Sequence, residues 1–469
     1  MKKILASLIL AGMSVSLVGC ATANDANLES VLSAVDEKVE SMVVEVGENI
    51  AEAVGESVQT LGEFSQTATI EETVMLDEDG IKITATGLEY TSYSAKLNLN
   101  IENNTSENLT FMSGTFGYSC NSVNGYTTTD GYLNCDVSAG KKANETISFS
   151  YDGLMLYGIN EISDIEIGFY TSDDDYGYTY YAPQQIKTSA YEHHDYSRDY
   201  YQEAITSDAA MNTYDYDVIY FSDDSLYSEN GVDLLSSCMM VNSGDETMLL
   251  LEFENTSNSE VDISISDIVI NGLNVCHSIW STDTLVANKR CIIDVSLSSV
   301  FEPEYWDAYG IKDIGTVSLS LTQRDSDYNA ITEEVPIEIK ISNVQAEVDK
   351  TGKEVYNDNG LRLVFKDMVD DSWLYVHVLL LAENIGKNTL SIDDVYDSLS
   401  VNGYMTDYYC YSNELESGDS AVIDIEIRKS SLEENEITDI SEIEEVEMSF
   451  NIRSGYDTLD EPTITISVE

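Results

Sequence analysis

Residues 230–272 read NGVDLLSSCMMVNSGDETMLLLEFENTSNSEVDISISDIVING. The stretch opens on Asn230-Gly231 and closes on Asn271-Gly272. Asn-Gly favours a tight hairpin because both residues tolerate positive φ. Between them Leu249, Leu251 and Phe253 recur at every second position and run into Glu254-Asn255. Period two puts one face of a strand into a core.

The same succession occurs three times. The first turn is Asp79-Gly80, Asn230-Gly231 and Asn359-Gly360. A Glu-Asn pair follows at Glu102-Asn103, Glu254-Asn255 and Glu383-Asn384, its asparagine 23, 24 and 24 residues past the glycine. Asn-Gly then recurs at 124–125, 271–272 and 402–403. An acid flanked by isoleucines comes next, at Asp164, Asp313 and Glu442, which lie 40, 42 and 40 residues past that asparagine. Last comes a proline, Pro183, Pro336 or Pro462, which are three of the four in the chain. Alternation repeats too, in Leu97, Leu99, Ile101 and in Ile423, Ile425, Ile427. Short strands with turns between them, in units of about 110 residues, predict antiparallel β-sandwiches. A proline at a strand start suits an edge.

The expected fold is mainly β, with three tandem sandwich modules over 74–189, 215–343 and 353–469. A Tyr/Asp-rich linker over 190–214 and a short one over 344–352 join them. Twelve of the 31 tyrosines fall between Tyr176 and Tyr227, as paratope-like contact area or as rings packed between modules. Ahead of the first module, Leu28, Leu32, Val35, Val39, Met42 and Val46 step by four and three. That spacing predicts an amphipathic helix over 24–64, inside a stalk or linker of residues 20–73.

The N-terminus has Lys2-Lys3 followed by an uncharged, mostly apolar run from Ile4 to Val18. It is shorter than the ~20 residues of a membrane span and has the form of a secretory signal over 1–19. Leu17-Val18-Gly19-Cys20 resembles the lipobox of bacterial lipoproteins. The resemblance implies cleavage before Cys20, lipid (diacylglycerol and palmitate) on its thiol, and an extracytoplasmic protein held at the cell membrane. The modules resemble immunoglobulin-like domains found in tandem on surface lipoproteins of Gram-positive bacteria. They lack the Cys…Trp…Cys framework of antibody domains, and Trp280, Trp306 and Trp373 do not fall at matching places.

Composition narrows the partners. With 22 basic and 86 acidic residues the formal charge is −64, which excludes nucleic acid, whose phosphates need Lys and Arg. Six cysteines remain besides Cys20, and their spacing offers Cys120–Cys135 and Cys276–Cys291 as disulfides. None forms a C-x-x-C zinc or redox motif.

No nucleophile–base motif appears. His193, His194, His277 and His377 are the only histidines, with His377 inside an apolar strand run. Ser138-Ala-Gly-Lys141 has S-x-x-K spacing but lies in a Gly-containing turn. Asp173, Asp174 and Asp175, Asp325 and Asp327, and Asp457 and Asp460 precede the proline strands. They are weak calcium candidates, or turn residues and solvating charge. The functional expectation is a non-catalytic surface lipoprotein, without a cofactor, that presents sandwiches to an extracellular protein or glycan. The alternative is an extracellular hydrolase or a transport-associated solute-binding lipoprotein.

The address has a direct test. Cys20→Ala should abolish incorporation of a clickable fatty acid and leave the precursor uncleaved. Equal labelling of wild type and variant would overturn it.

Overall fold

The computed structural model describes residues 59–468 apart from 114–120, 129, 174–176, 245, 277–280, 302, 343–346, 372 and 412. Cys20 and the expected helix up to residue 58 lie outside the described residues. Residues 59–64 carry no helix. Their backbone is committed elsewhere: the Leu61 N–H donates to Thr213 Oγ1, and Phe64 stacks on Tyr151 at 4.3 Å.

The chain is mainly β, in stacked sheets. In the first repeat Thr73–Glu78, Ile81–Tyr90, Ser94–Asn103 and Lys141–Ser150 form one antiparallel sheet. Asp164–Asp173 lies at the centre of the opposing layer, flanked by Leu109–Ser113, Asn121–Val123 and Tyr178–Lys187. The second repeat sets Val232–Asn242, Thr247–Asn255 and Lys289–Ser296 against Val261–Ile270 and Thr316–Arg324. The third sets Leu361–Asp370, Tyr375–Asn384 and Ser420–Arg428 against Leu390–Asp394 and Glu445–Ser454.

The turn dipeptides do what their chemistry allows. In all six the Asn or Asp has φ of 49–52° and the glycine 80–86°, both left-handed, which matches the twist of the paired strands. Pro336 and Pro462 stand at the start of edge strands or just before them, while Pro183 falls at a register shift inside Tyr178–Lys187.

Two buried asparagines recur as clamps. Asn103, Asn255 and Asn384 are at most 1% exposed. Each Nδ2 donates to two carbonyls: Glu107 and Val137 (both 2.8 Å), Ser259 and Leu285 (both 2.9 Å), Asn388 and Leu415 (2.8 and 2.9 Å). Each Oδ1 accepts a backbone N–H, from Thr105, Ser257 or Gly386. The end of a strand in one sheet is thereby tied to the end of a strand in the other. Asn124, Asn271 and Asn402 form the second clamp. Their Nδ2 atoms donate to the carbonyls of Glu161, Asp313 and Glu442 at 2.8, 2.9 and 2.8 Å. Their Oδ1 atoms accept the amides two and three residues further on. In the first repeat the counterpart of Asp313 and Glu442 is therefore Glu161, three residues before the Asp164 picked out by its isoleucines.

The linker expected at 190–214 is largely helical, with Tyr200–Ile205 and Asp208–Tyr214 capped by the side chains of Asp199 and Ser207. Cys135 is a free thiol buried in the first core, so the Cys120–Cys135 disulfide is not formed. Cys291 is not in a disulfide either, so the Cys276–Cys291 pairing is not formed. No described helix is long and apolar enough to cross a membrane.

The clamp has a measurable weight. Asn255→Ala removes a buried amide and leaves two carbonyls and one N–H unsatisfied, at roughly 1–3 kcal/mol each before relaxation. Urea unfolding should show a loss of roughly 3 kcal/mol or more. Exposed Asn357→Ala should change stability by less than about 0.5 kcal/mol. Similar losses for the two variants would remove the clamp from the account.

Candidate functional site

Charge converges first where the repeats meet. Tyr126–Thr128 of the first repeat pairs in parallel with Lys289–Ser296 of the second through Tyr126 and Arg290, and the Arg290 N–H donates to the Gly125 carbonyl at 2.9 Å. The Arg290 guanidinium reaches Asp199 at 2.5 Å and Glu252 and Glu254 at 3.4 Å each, while Lys289 pairs with Glu166 at 2.7 Å. Glu252 is wholly buried and accepts from Ser236 Oγ and Gln202 Nε2, both at 2.8 Å. Burial, reinforced by Asp199, pushes its carboxyl up to about 7 despite Arg290. Such a value suits general acid–base work. Glu252 is wholly buried, however, and its oxygens are taken by Arg290, Gln202 and Ser236, which fasten the joint.

The second joint follows the same rule with other residues. Leu273–Cys276 pairs in parallel with Ser420–Arg428, and Lys350 bridges Glu383 (3.1 Å) and Ser420 Oγ (2.8 Å). Tyr309 is completely buried and its hydroxyl donates to the Leu380 carbonyl at 2.8 Å. Its first-repeat counterpart, Tyr157, is also buried and stacks on Tyr126. Both tyrosines precede a glycine of positive φ, Gly158 and Gly310. A Cβ on Gly158 would lie 2.2 Å from the Tyr200 carbonyl oxygen, and one on Gly310 would lie 2.9 Å from Asp349 Cβ. Each linker thus presses on a position that only glycine leaves open. The third repeat has Asn435-Glu436-Ile437 there, with Glu436 at φ 64°. Reading the sequence missed this Tyr-Gly-Ile signature, although it is present twice.

The group with most chemical scope is on the third repeat. His377 and Glu426 are cross-strand partners in Tyr375–Asn384 and Ser420–Arg428, with Asp424 two residues along the same face. His377 is 7% exposed, and the ring of Tyr305, from the second repeat, lies 5.3 Å away. Its Nδ1 stands 3.0 and 3.1 Å from the Asp424 oxygens, and its Nε2 stands 3.8 Å from Asp371. Burial alone would lower the imidazole pKa, but Asp424, Glu426 and Asp371 outweigh it and hold the pKa up. Burial, then Asp424, raises the Glu426 carboxyl. Tyr375 packs edge-on against both His377 and Tyr409. Among the described residues this is the group of three whose ligand atoms converge, all within 4.8 Å of one another.

The acids singled out by sequence lie elsewhere: Asp173 and Asp325 close turns, and Asp457 and Asp460 stand on a short strand. Asp173 accepts the Gly177 N–H at 2.8 Å. Asp325 accepts those of Asp327 and Asn329 at 3.0 and 2.9 Å, and hydrogen bonds from Asn329 and Asp327 hold its carboxyl low. Asp460 accepts the Tyr356 hydroxyl at 2.8 Å, while Asp327 and Asp457 are exposed. Asp174 and Asp175 lie outside the described residues. His194 stacks on Tyr200 and meets the edge of Tyr196, so that part of the tyrosine-rich segment packs on itself. Ser138 and Lys141 close a turn through the Lys141 N–H and the Ser138 carbonyl.

No family model matches the chain, and no curated protein matches it. Among solved structures it is similar to a protein of unknown function from Porphyromonas gingivalis W83, at 11% identity over 48% of this chain and 92% of that one, with a TM-score of 0.14. Red sea bream transglutaminase matches at 9% identity over 62% and 33%, with a TM-score of 0.14. The exo-chitosanase CsxA of Amycolatopsis orientalis matches at 7% identity over 86% and 79%, with a TM-score of 0.16. At such TM-scores these likenesses carry no statement about activity.

The buried carboxyls set a pH dependence. Glu252 is raised from 4.5 to about 7 and Asp294, by burial and then Asp283, from 3.8 to about 6. A raised pKa means that the folded state holds the proton more tightly, so its stabilisation is complete below the unfolded value and lost as pH rises through the folded one. The melting temperature should therefore rise from pH 8 to pH 6. Glu252→Gln should flatten the profile, removing a contribution on the order of 1 kcal/mol across that window. A melting temperature that falls on acidification, or a slope unchanged in the variant, would contradict this assignment.

Proposed function

We propose that the chain is a non-catalytic, lipid-anchored surface protein whose three repeats are immunoglobulin-like units, built to hold a recognition surface away from the membrane. The observation that carries this reading is the distribution of exposed aromatic side chains. Trp373 and Tyr396 are each 86% exposed, Tyr411 70% and Tyr456 fully exposed, all in the repeat farthest along the chain from Cys20. Trp373 and Tyr411 each stand two residues from one of a pair of rings in contact, Tyr375 and Tyr409, and Tyr and Trp offer a partner rigid contact area at low entropic cost. In this reading the joints make the first two repeats a spacer, and the acidic turns keep it soluble. The partner is an extracellular protein or glycan.

The test compares the full chain with a Trp373→Ala, Tyr411→Ala double variant for binding to purified envelope glycan and to surface-protein extract. Binding by the wild type should fall at least about tenfold in the variant, since truncating an aromatic anchor removes 1–2 kcal/mol or more per side chain. Equal binding by both would sink the reading. Release of reducing ends from the glycan by the wild type would replace it with the hydrolase.

A further inference from the structure

We propose that His377, Asp424 and Glu426 form a binding site for one divalent transition-metal ion of the Zn²⁺ class. The inference goes beyond a presenting surface and depends only on the third repeat and its neighbour. The donors stand on two adjacent, hydrogen-bonded strands, His377 opposite Glu426 and Asp424 two residues along the same face. Side chains so placed are neighbours by the pleat of the sheet, and a sheet holds them more firmly than a loop does.

Their chemical type selects the ion. One imidazole nitrogen with two carboxylates suits Zn²⁺ and similar ions, whereas Ca²⁺ and Mg²⁺ take oxygen ligands. The donor atoms already lie within 4.8 Å of one another. A tetrahedral ion with bonds of about 2.0–2.1 Å brings neighbouring ligands to about 3.3 Å, a closure within reach of carboxylate side-chain rotation. A fourth position would be left for water.

A second observation separates this group from the acidic turns. His377 is 7% exposed in an otherwise apolar run, beneath the Tyr305 ring. Its Nε2, 3.8 Å from Asp371, is beyond hydrogen-bond distance of that carboxylate. Glu426 is partly buried beside a second carboxylate, Asp424, a like-charge arrangement that a cation relieves. An ion here would also fasten the face of the third repeat that Tyr305 covers, and so would stiffen the second joint.

The experiment is calorimetric titration of the chelator-stripped full chain with Zn²⁺, in millimolar Mg²⁺ to occupy the diffuse acidic surface. One equivalent should bind. His377→Ala should abolish binding, and Asp424→Asn and Glu426→Gln should each weaken it by more than about tenfold. The turn variant Asp325→Asn should leave it unchanged. Co²⁺ in place of Zn²⁺ should show visible absorption typical of four-coordinate geometry, lost in Glu426→Gln. Circular dichroism checks that each variant folds, and Glu426→Gln decides the matter if His377→Ala does not. No saturable binding, or binding of several equivalents that the variants do not alter, would overturn the site.

Discussion

One buried side-chain amide holds each repeat together. A sheet can bury its faces by apolar packing, but its strands must end, and their last carbonyls must find donors or remain in water. Asn103, Asn255 and Asn384 meet that need from inside the sandwich, each donating to two carbonyls and accepting an amide. With both layers tied at that corner, the packing of Ile83, Leu99 and Ile101, or of Leu380, Ile423 and Ile425, has a defined register. Aspartate could not donate, leucine could do neither, and glutamine would need extra space. The geometry therefore accounts for asparagine appearing three times at this position.

Much of the architecture was legible because it rests on local chemistry. Positive φ at Asn-Gly and Asp-Gly, alternation in Leu97, Leu99 and Ile101, and edge prolines are all decided within a few residues. The joints were harder to see, yet they had left a trace. The outward positions of Ser94–Asn103 are Lys96, Asn98 and Asn100, whereas those of Tyr375–Asn384 include Leu379 and Leu381, which are buried in the core of the second repeat. Loss of alternation in the later repeats meant burial on both faces. The helices after Tyr191 were hidden because their polar composition resembles a loop, although Asp199 and Ser207 are ordinary caps. The convergence of His377, Asp424 and Glu426 could not be read at all. It depends on the pairing register of two strands that bring together residues 47 and 49 positions apart.

The few cations are placed with economy. Lys289 and Arg290 serve the first joint, while Lys350 of the short linker and Arg362 both reach Glu383 on the third repeat. In a chain of 22 basic and 86 acidic residues, self-repulsion tends to push the repeats apart. At the first seam Lys289 and Arg290 oppose that repulsion by pairing with Glu166 of the first repeat and Asp199 of the linker. Partial burial at this seam also reduces screening by salt, which makes such pairs count for more than exposed ones.

The backbone seams are short, and this has a mechanical consequence. The first parallel pairing is a single residue pair, Arg290 with Tyr126, and the second is two, Leu273 with Ser420 and Asn274 with Ala421. Within a repeat the strands pair over as many as ten residues. Under tension along the chain, backbone pairing alone holds little at either seam. The segment between Lys187 and Tyr216 gives no free slack at the first, because Tyr201, Ile205, Ala210 and Tyr214 are buried in the first core. The load at each seam therefore falls on the apolar side chains that cross it, Leu250 and Ile292 at the first and Leu379 and Leu381 at the second, so that neither seam can part without opening a core.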